Sequence, residues 1–116
     1  MNMREDKRDF KRFSVILKVE AIKKNKRSIS GLLKNFSRTG MCVVFDDFKS
    51  KINSNLPIKI QDPSDNKLIP ASVEVMWKNT VEGKCEVGFK FKKIPSEVKA
   101  AILEHAYNKW VKNIPS

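Results

Sequence analysis

Apolar residues recur at every second position in stretch after stretch of this chain, a period that belongs to β-strands with one buried face. In the first stretch Phe13, Val15, Leu17, Val19 and Ala21 point one way. In later ones Val73, Val75 and Trp77 share a face, and Cys85, Val87, Phe89 and Phe91 alternate with polar residues or glycine. Between them lie Ser28 to Phe36, Met41 to Phe45 and Leu56 to Ile60. Turn signals separate the strands: the polar cluster Lys23 to Arg27, the tight Ser37 to Gly40, Asp62-Pro-Ser-Asp-Asn66, and a loop from Asn79 to Gly83. Asp46 to Asn55 reads as a looser polar connection. About six strands with no helix between them predict a mainly-β antiparallel barrel or sandwich over residues 13–93.

The periodicity then changes. Val98, Ala101, Ile102, Ala106 and Trp110 recur at three- and four-residue spacing after Pro95, Ser96 and Glu97, where Ser96 is a suitable N-cap and Glu97 an acid in the first turn. A helix over 96–112 that covers an open end or side of the sheet is expected. With 116 residues and 41% hydrophobic content, residues 1–116 are read as one domain. Met1 to Arg12 is charged, so it is no signal peptide, and no run approaches a membrane span. Cys42 and Cys85 lie far apart in apolar stretches and read as small hydrophobes. A cytoplasmic domain with no membrane insertion is expected.

The formal charge is +11 and 19 of the 24 basic residues are lysines, scattered along the chain. Three of the five arginines are instead gathered at the start, at Arg4, Arg8 and Arg12. Arginines four apart share one side of a helix or an extended segment, separated by about 6 Å in the former and about 13 Å in the latter. Guanidinium forms bidentate bonds to phosphate and to the O6/N7 edge of guanine, and it stacks on bases. A second cluster, Asn35-Phe-Ser37-Arg38-Thr-Gly40, offers short donors and acceptors at Asn35 and Ser37 and a further cation at Arg38. At Gly40 it offers a backbone that a ligand can approach.

In this order, Arg8-x-x-x-Arg12, a hairpin, then Asn35-x-Ser37-x-x-Gly40, the chain resembles the PilZ family. Lys7-Arg-Asp-Phe10-Lys-Arg12-Phe13, Val73-Glu-Val-Met-Trp77, Gly88-Phe-Lys-Phe91 and Ile94-Pro-Ser-Glu97 fit the same pattern, from about residue 7 to 110. The resemblance implies a six-stranded antiparallel β-barrel with a C-terminal α-helix. It also implies a receptor for cyclic di-GMP that needs no cofactor and catalyses no reaction. Arg8 and Arg12, on a flexible segment 1–12, would contact guanine and phosphate. Lys7 would stand beside them, and Asn35, Ser37, Gly40 and Arg38 would form the opposing surface. Asn35 stands where the family often has Asp, and Lys7 where it often has Arg. Arg4 and Arg8 have the same spacing, but Phe10 and Phe13 fit the Arg8/Arg12 register. Output would pass to a protein partner. The other readings are a PilZ-fold adaptor that binds protein and no nucleotide, and a basic barrel binding RNA or single-stranded DNA. Against the last, the aromatics, Trp77 and Trp110 included, mostly hold apolar register and read as core. His105, the only histidine, has no triad around it, and no metal-ligand cluster stands out.

Overall fold

The alternation becomes seven β-segments and one helix in a computed structural model of the protein, which describes residues 13–14, 17–23, 25 and 27–112. These are β1 (Phe13–Ser14), β2 (Lys18–Ile22), β3 (Ser28–Phe36), β4 (Gly40–Phe45), β5 (Asn55–Gln61), β6 (Leu68–Val81), β7 (Lys84–Lys93) and α1 (Ser96–Lys112). Every pairing is antiparallel, in the order β3-β2-β5-β6-β7-β4, and β4 pairs back onto β3. Six strands thus close a barrel, as the resemblance implied. The short β1 continues the first strand along β3, opposite Asn35 and Phe36.

The inward register is the predicted one. Leu17, Val19, Val73, Val75, Val87 and Phe89 are all buried; Val15 and the side chain of Trp110 lie outside the description. Both ends of the barrel are stoppered. At one end α1 buries Val98, Ile102 and Ala106 in the same core cluster as Phe36, and Phe36 packs on Phe91 with ring centroids 5.1 Å apart. Ala101, expected on the docking face, is half-buried. At the other end Phe48 stacks on Phe45 at 5.0 Å and meets Phe89 edge-on at 5.7 Å. Phe48 comes from the stretch read as a polar connection, and burial turns that connection into a plug. Each such side chain removed from water stabilises the fold by roughly 1.5–3 kcal/mol.

Two expectations need correction. The loop expected from Asn79 to Gly83 is only a two-residue turn, Glu82 and Gly83, with φ of 51° and 79°. Two successive positive φ values make a type I′ turn, whose twist matches the strands it joins, so β6 runs on to Val81. Trp77, expected in the core beside Val73 and Val75, is 42% exposed. The reason is a register shift between Val75 and Trp77: one extra residue, Met76, is inserted against β7 and turns Trp77 outward.

Candidate functional site

The motif Asn35 to Gly40 occupies the end of β3, a tight connection and the start of β4. Ser37 is 1% exposed. Its N–H donates to the Gly40 carbonyl at 2.8 Å, and its hydroxyl donates to the same oxygen at 3.2 Å. The Phe91 N–H donates to the Thr39 carbonyl at 3.0 Å, tying the turn to β7. A β-carbon on Gly40 would overlap the Phe89 carbonyl. The space beside this glycine is therefore filled by the protein's own backbone, where the sequence suggested room for a ligand. Ser37 and Gly40 lock the turn, and Arg38 and Thr39 stand exposed at its tip.

Asn35 reaches the outer surface by the same device as Trp77. The β3–β4 register shifts by one between Leu33 and Asn35, so Lys34 is an extra residue. Leu33 and Phe36, three apart, are both buried, while Lys34 is exposed and Asn35 half-buried between them. An unbulged strand would not place residues three apart, such as Leu33 and Phe36, on one face.

The two outward-turned residues lie in one cross-strand row. Asn35 is opposite Cys42, Cys42 opposite Gly88, and Gly88 opposite Trp77. At about 4.8 Å per strand the row spans roughly 14 Å across β3, β4, β7 and β6. Trp77 lies over Gly88, in the space a side chain there would fill, and so presents a flat aromatic surface on the same row as the polar Asn35. Cys42, in the middle, is 3% exposed. Cations border the row. Lys34 donates to Glu86 at 2.6 Å, and that hydrogen bond raises its pKa above the usual lysine value. Lys90, opposite Gly40 and two residues beyond Gly88, is exposed on the outward side.

Of the sequence-predicted site residues, Asn35, Ser37, Arg38 and Gly40 come together here, and Lys7, Arg8 and Arg12 lie outside the described residues. The segment that carries them is joined to β1, whose Ser14 pairs with Asn35. Trp77 and Lys90 are additions that the sequence reading missed. Trp77 was legible only through a bulge, which has no simple sequence mark; Lys90 alternates outward between Phe89 and Phe91 and was readable from period two.

The sequence profile of the PilZ domain matches residues 6–108. The chain belongs to the PilZ family. No curated protein matches the sequence as a relative. Several solved PilZ-type structures share the fold. MotI/DgrA, the inhibitor of motility of Bacillus subtilis, is 18% identical with a TM-score of 0.77, covering 93% of this chain and 53% of its own. The PilZ domain of YcgR from Escherichia coli, solved with c-di-GMP, is 10% identical with a TM-score of 0.69, covering 93% and 99%. The MrkH–c-di-GMP complex of K. pneumonia is 14% identical with a TM-score of 0.71, covering 91% and 52%. This PilZ chain spans about half the length of MotI/DgrA and MrkH and nearly all of the isolated YcgR domain. Among the described residues, no helix is long and apolar enough to cross a membrane.

Proposed function

We propose that this PilZ domain is a cytoplasmic receptor for cyclic di-GMP, binding the dinucleotide between the Asn35–Trp77 row and the arginine segment that precedes β1. One observation carries the reading: two separate bulges turn a polar amide and a flat indole onto the same cross-strand row, where β1 ends. The c-di-GMP complexes of two proteins with this fold support the choice of ligand.

The division of labour follows from the chemistry. Trp77 stacks on one base, an interaction that any base face accepts and that therefore contributes affinity without choosing guanine. Guanine is chosen by Arg8 and Arg12, whose guanidinium forks match its O6/N7 edge and the phosphates. Asn35 bonds a polar edge of the ligand, while Arg38, Lys90 and Lys7 supply counter-charge to the phosphodiesters. Ser37 and Gly40 act one step back by fixing the turn. The arginine segment gains order as the anion bridges its like charges, and the rearranged surface is what a protein partner reads. No step here is catalytic and no cofactor takes part.

Isothermal titration with cyclic di-GMP tests the reading. Saturable binding that is lost in Arg8→Ala, Arg12→Ala and Trp77→Ala is expected. Absence of binding by the intact, folded chain would leave the PilZ-fold protein adaptor as the better account.

A further inference from the structure

The barrel is closed, yet it is not without an edge. β5 pairs with β6 only from Leu68 to Glu74, and the two hydrogen bonds beyond that join Val75 to the preceding loop: Asn53 N–H to the Val75 carbonyl at 2.7 Å, and Val75 N–H to the Ser54 carbonyl at 2.9 Å. Among the described residues, β6 from Trp77 to Val81 pairs with β7 alone. The geometry fixes which groups are open. A two-residue hairpin closes on a hydrogen-bonded pair, here Val81 with Lys84, so Val81, Asn79 and Trp77 direct their N–H and C=O to β7. Lys78 and Thr80 direct theirs away from it, and among the described residues no backbone or side-chain hydrogen bond reaches them from that side. Such an edge is a template for another strand.

We propose that this edge pairs with the same edge of a second copy, antiparallel and twofold-symmetric about Asn79. In that register Lys78 faces Thr80 of the other copy and Thr80 faces its Lys78, giving four backbone hydrogen bonds with no like charges opposed. On the outer face Trp77 meets Val81 of the other copy, an aromatic–β-branched pair of the kind that stabilises sheets. On the inner face the added strand adjoins an open concavity of about 560 Å³, lined in part by Asp46, Phe48, Lys78 and Cys85. Charge favours this place as well. The chain as a whole carries +11 and repels its copies, but around the edge Lys84 is paired with Asp46 at 2.6 Å and Lys49 with Asp47 at 3.7 Å, and Glu82 lies at the hairpin tip. On β6 this stretch has one open side, because β7 holds the other, so pairing through this edge stops at two.

Five paired residues make a small interface, so the pairing belongs at high protein concentration. Sedimentation velocity from about 10 µM to about 1 mM, the range in which weak contacts populate, tests it on the full chain. The average mass is expected to rise from 13.4 kDa toward twice that value. Amide exchange at Lys78 and Thr80 should slow with concentration. Thr80→Pro removes the outward donor and leaves the β7 ladder intact. Asn79→Lys opposes two cations at the twofold axis while Glu86, its cross-strand neighbour, keeps the fold satisfied. Both variants should remain monomeric throughout. A wild-type chain that stays monomeric at every concentration, or an Asn79→Lys variant that associates like wild type, overturns the proposal and leaves the edge to a strand from another protein.

Discussion

The indole of Trp77 occupies the place of a side chain on Gly88: a β-carbon there would overlap its Nε1 and Cε2 atoms. Glycine at 88 is therefore what allows the ring to lie against the barrel with one face to solvent. Gly88→Ala should push the ring away and weaken cyclic di-GMP binding, while the exposed indole can swing aside and spare most of the fold. The expected loss is that of one base stack, roughly 1–3 kcal/mol, with Trp77→Ala giving a similar value by titration calorimetry. Full affinity in both variants would remove Trp77 from the site.

The arginines should show discrimination that lysines do not. Replacing Arg8 or Arg12 with Ala is expected to cost about 1.5–3 kcal/mol, or about 10- to 150-fold in affinity. Most of that loss should persist in Arg8→Lys and Arg12→Lys, because a point charge replaces a planar fork. Cyclic di-AMP should bind poorly to the wild type, since adenine presents a donor where guanine presents O6. Normal binding by both lysine variants would show a general basic surface instead.

Ser37 and Gly40 should register in stability before they register in affinity. Gly40→Ala drives a β-carbon into the Phe89 carbonyl and should destabilise by about 1–3 kcal/mol. Ser37→Ala removes the hydroxyl bond to Gly40 and should cost about 0.5–1.5 kcal/mol. Urea denaturation measures both. A large affinity loss for Ser37→Ala at unchanged stability would mean that its hydroxyl serves the ligand directly.

Phe48 is the strongest test of the barrel's closed end. Phe48→Ala leaves Phe45 and Phe89 facing a void and should lower stability by about 3–5 kcal/mol. A neighbouring exposed change, Lys49→Ala, should be near neutral. Equal denaturation midpoints for the two would mean that the 46–54 connection is not part of the core.

Much of the fold was legible because burial on one face imposes period two on a strand, and β2, β5, β7 and β3 as far as Leu33 obey it closely. The helix was legible for the same reason at a different period. The errors fall where one residue breaks phase. Trp77 continues the apolar register of Val73 and Val75 on paper, and only the pairing with β7 reveals Met76 as an insertion. Phe48 sits among Asp46, Asp47 and Lys49, so its local context is that of a loop, and its burial depends on contacts distant in sequence. The two-residue turn at Glu82 and Gly83 was not readable, because Glu seldom takes the positive φ that such a turn needs. At the site, the motif Asn35 to Gly40 was found by its spacing. The outward turn of Asn35 depends on the bulge at Lys34, and the burial of Ser37 on its bonds to Gly40 within the turn, and neither was readable.

The inserted residues also separate two kinds of inheritance. Removing Lys34 or Met76 would leave Leu33 and Phe36, or Val75 and Lys78, facing inward as before, because each bulge adds its residue on the outer side alone. The barrel can therefore gain or shed outward-facing residues one at a time while its interior stays in step. A domain built this way can be refitted for a new ligand by changes of length in its strands as readily as by changes of side chain, and related barrels with the same core can be expected to differ in where they stutter.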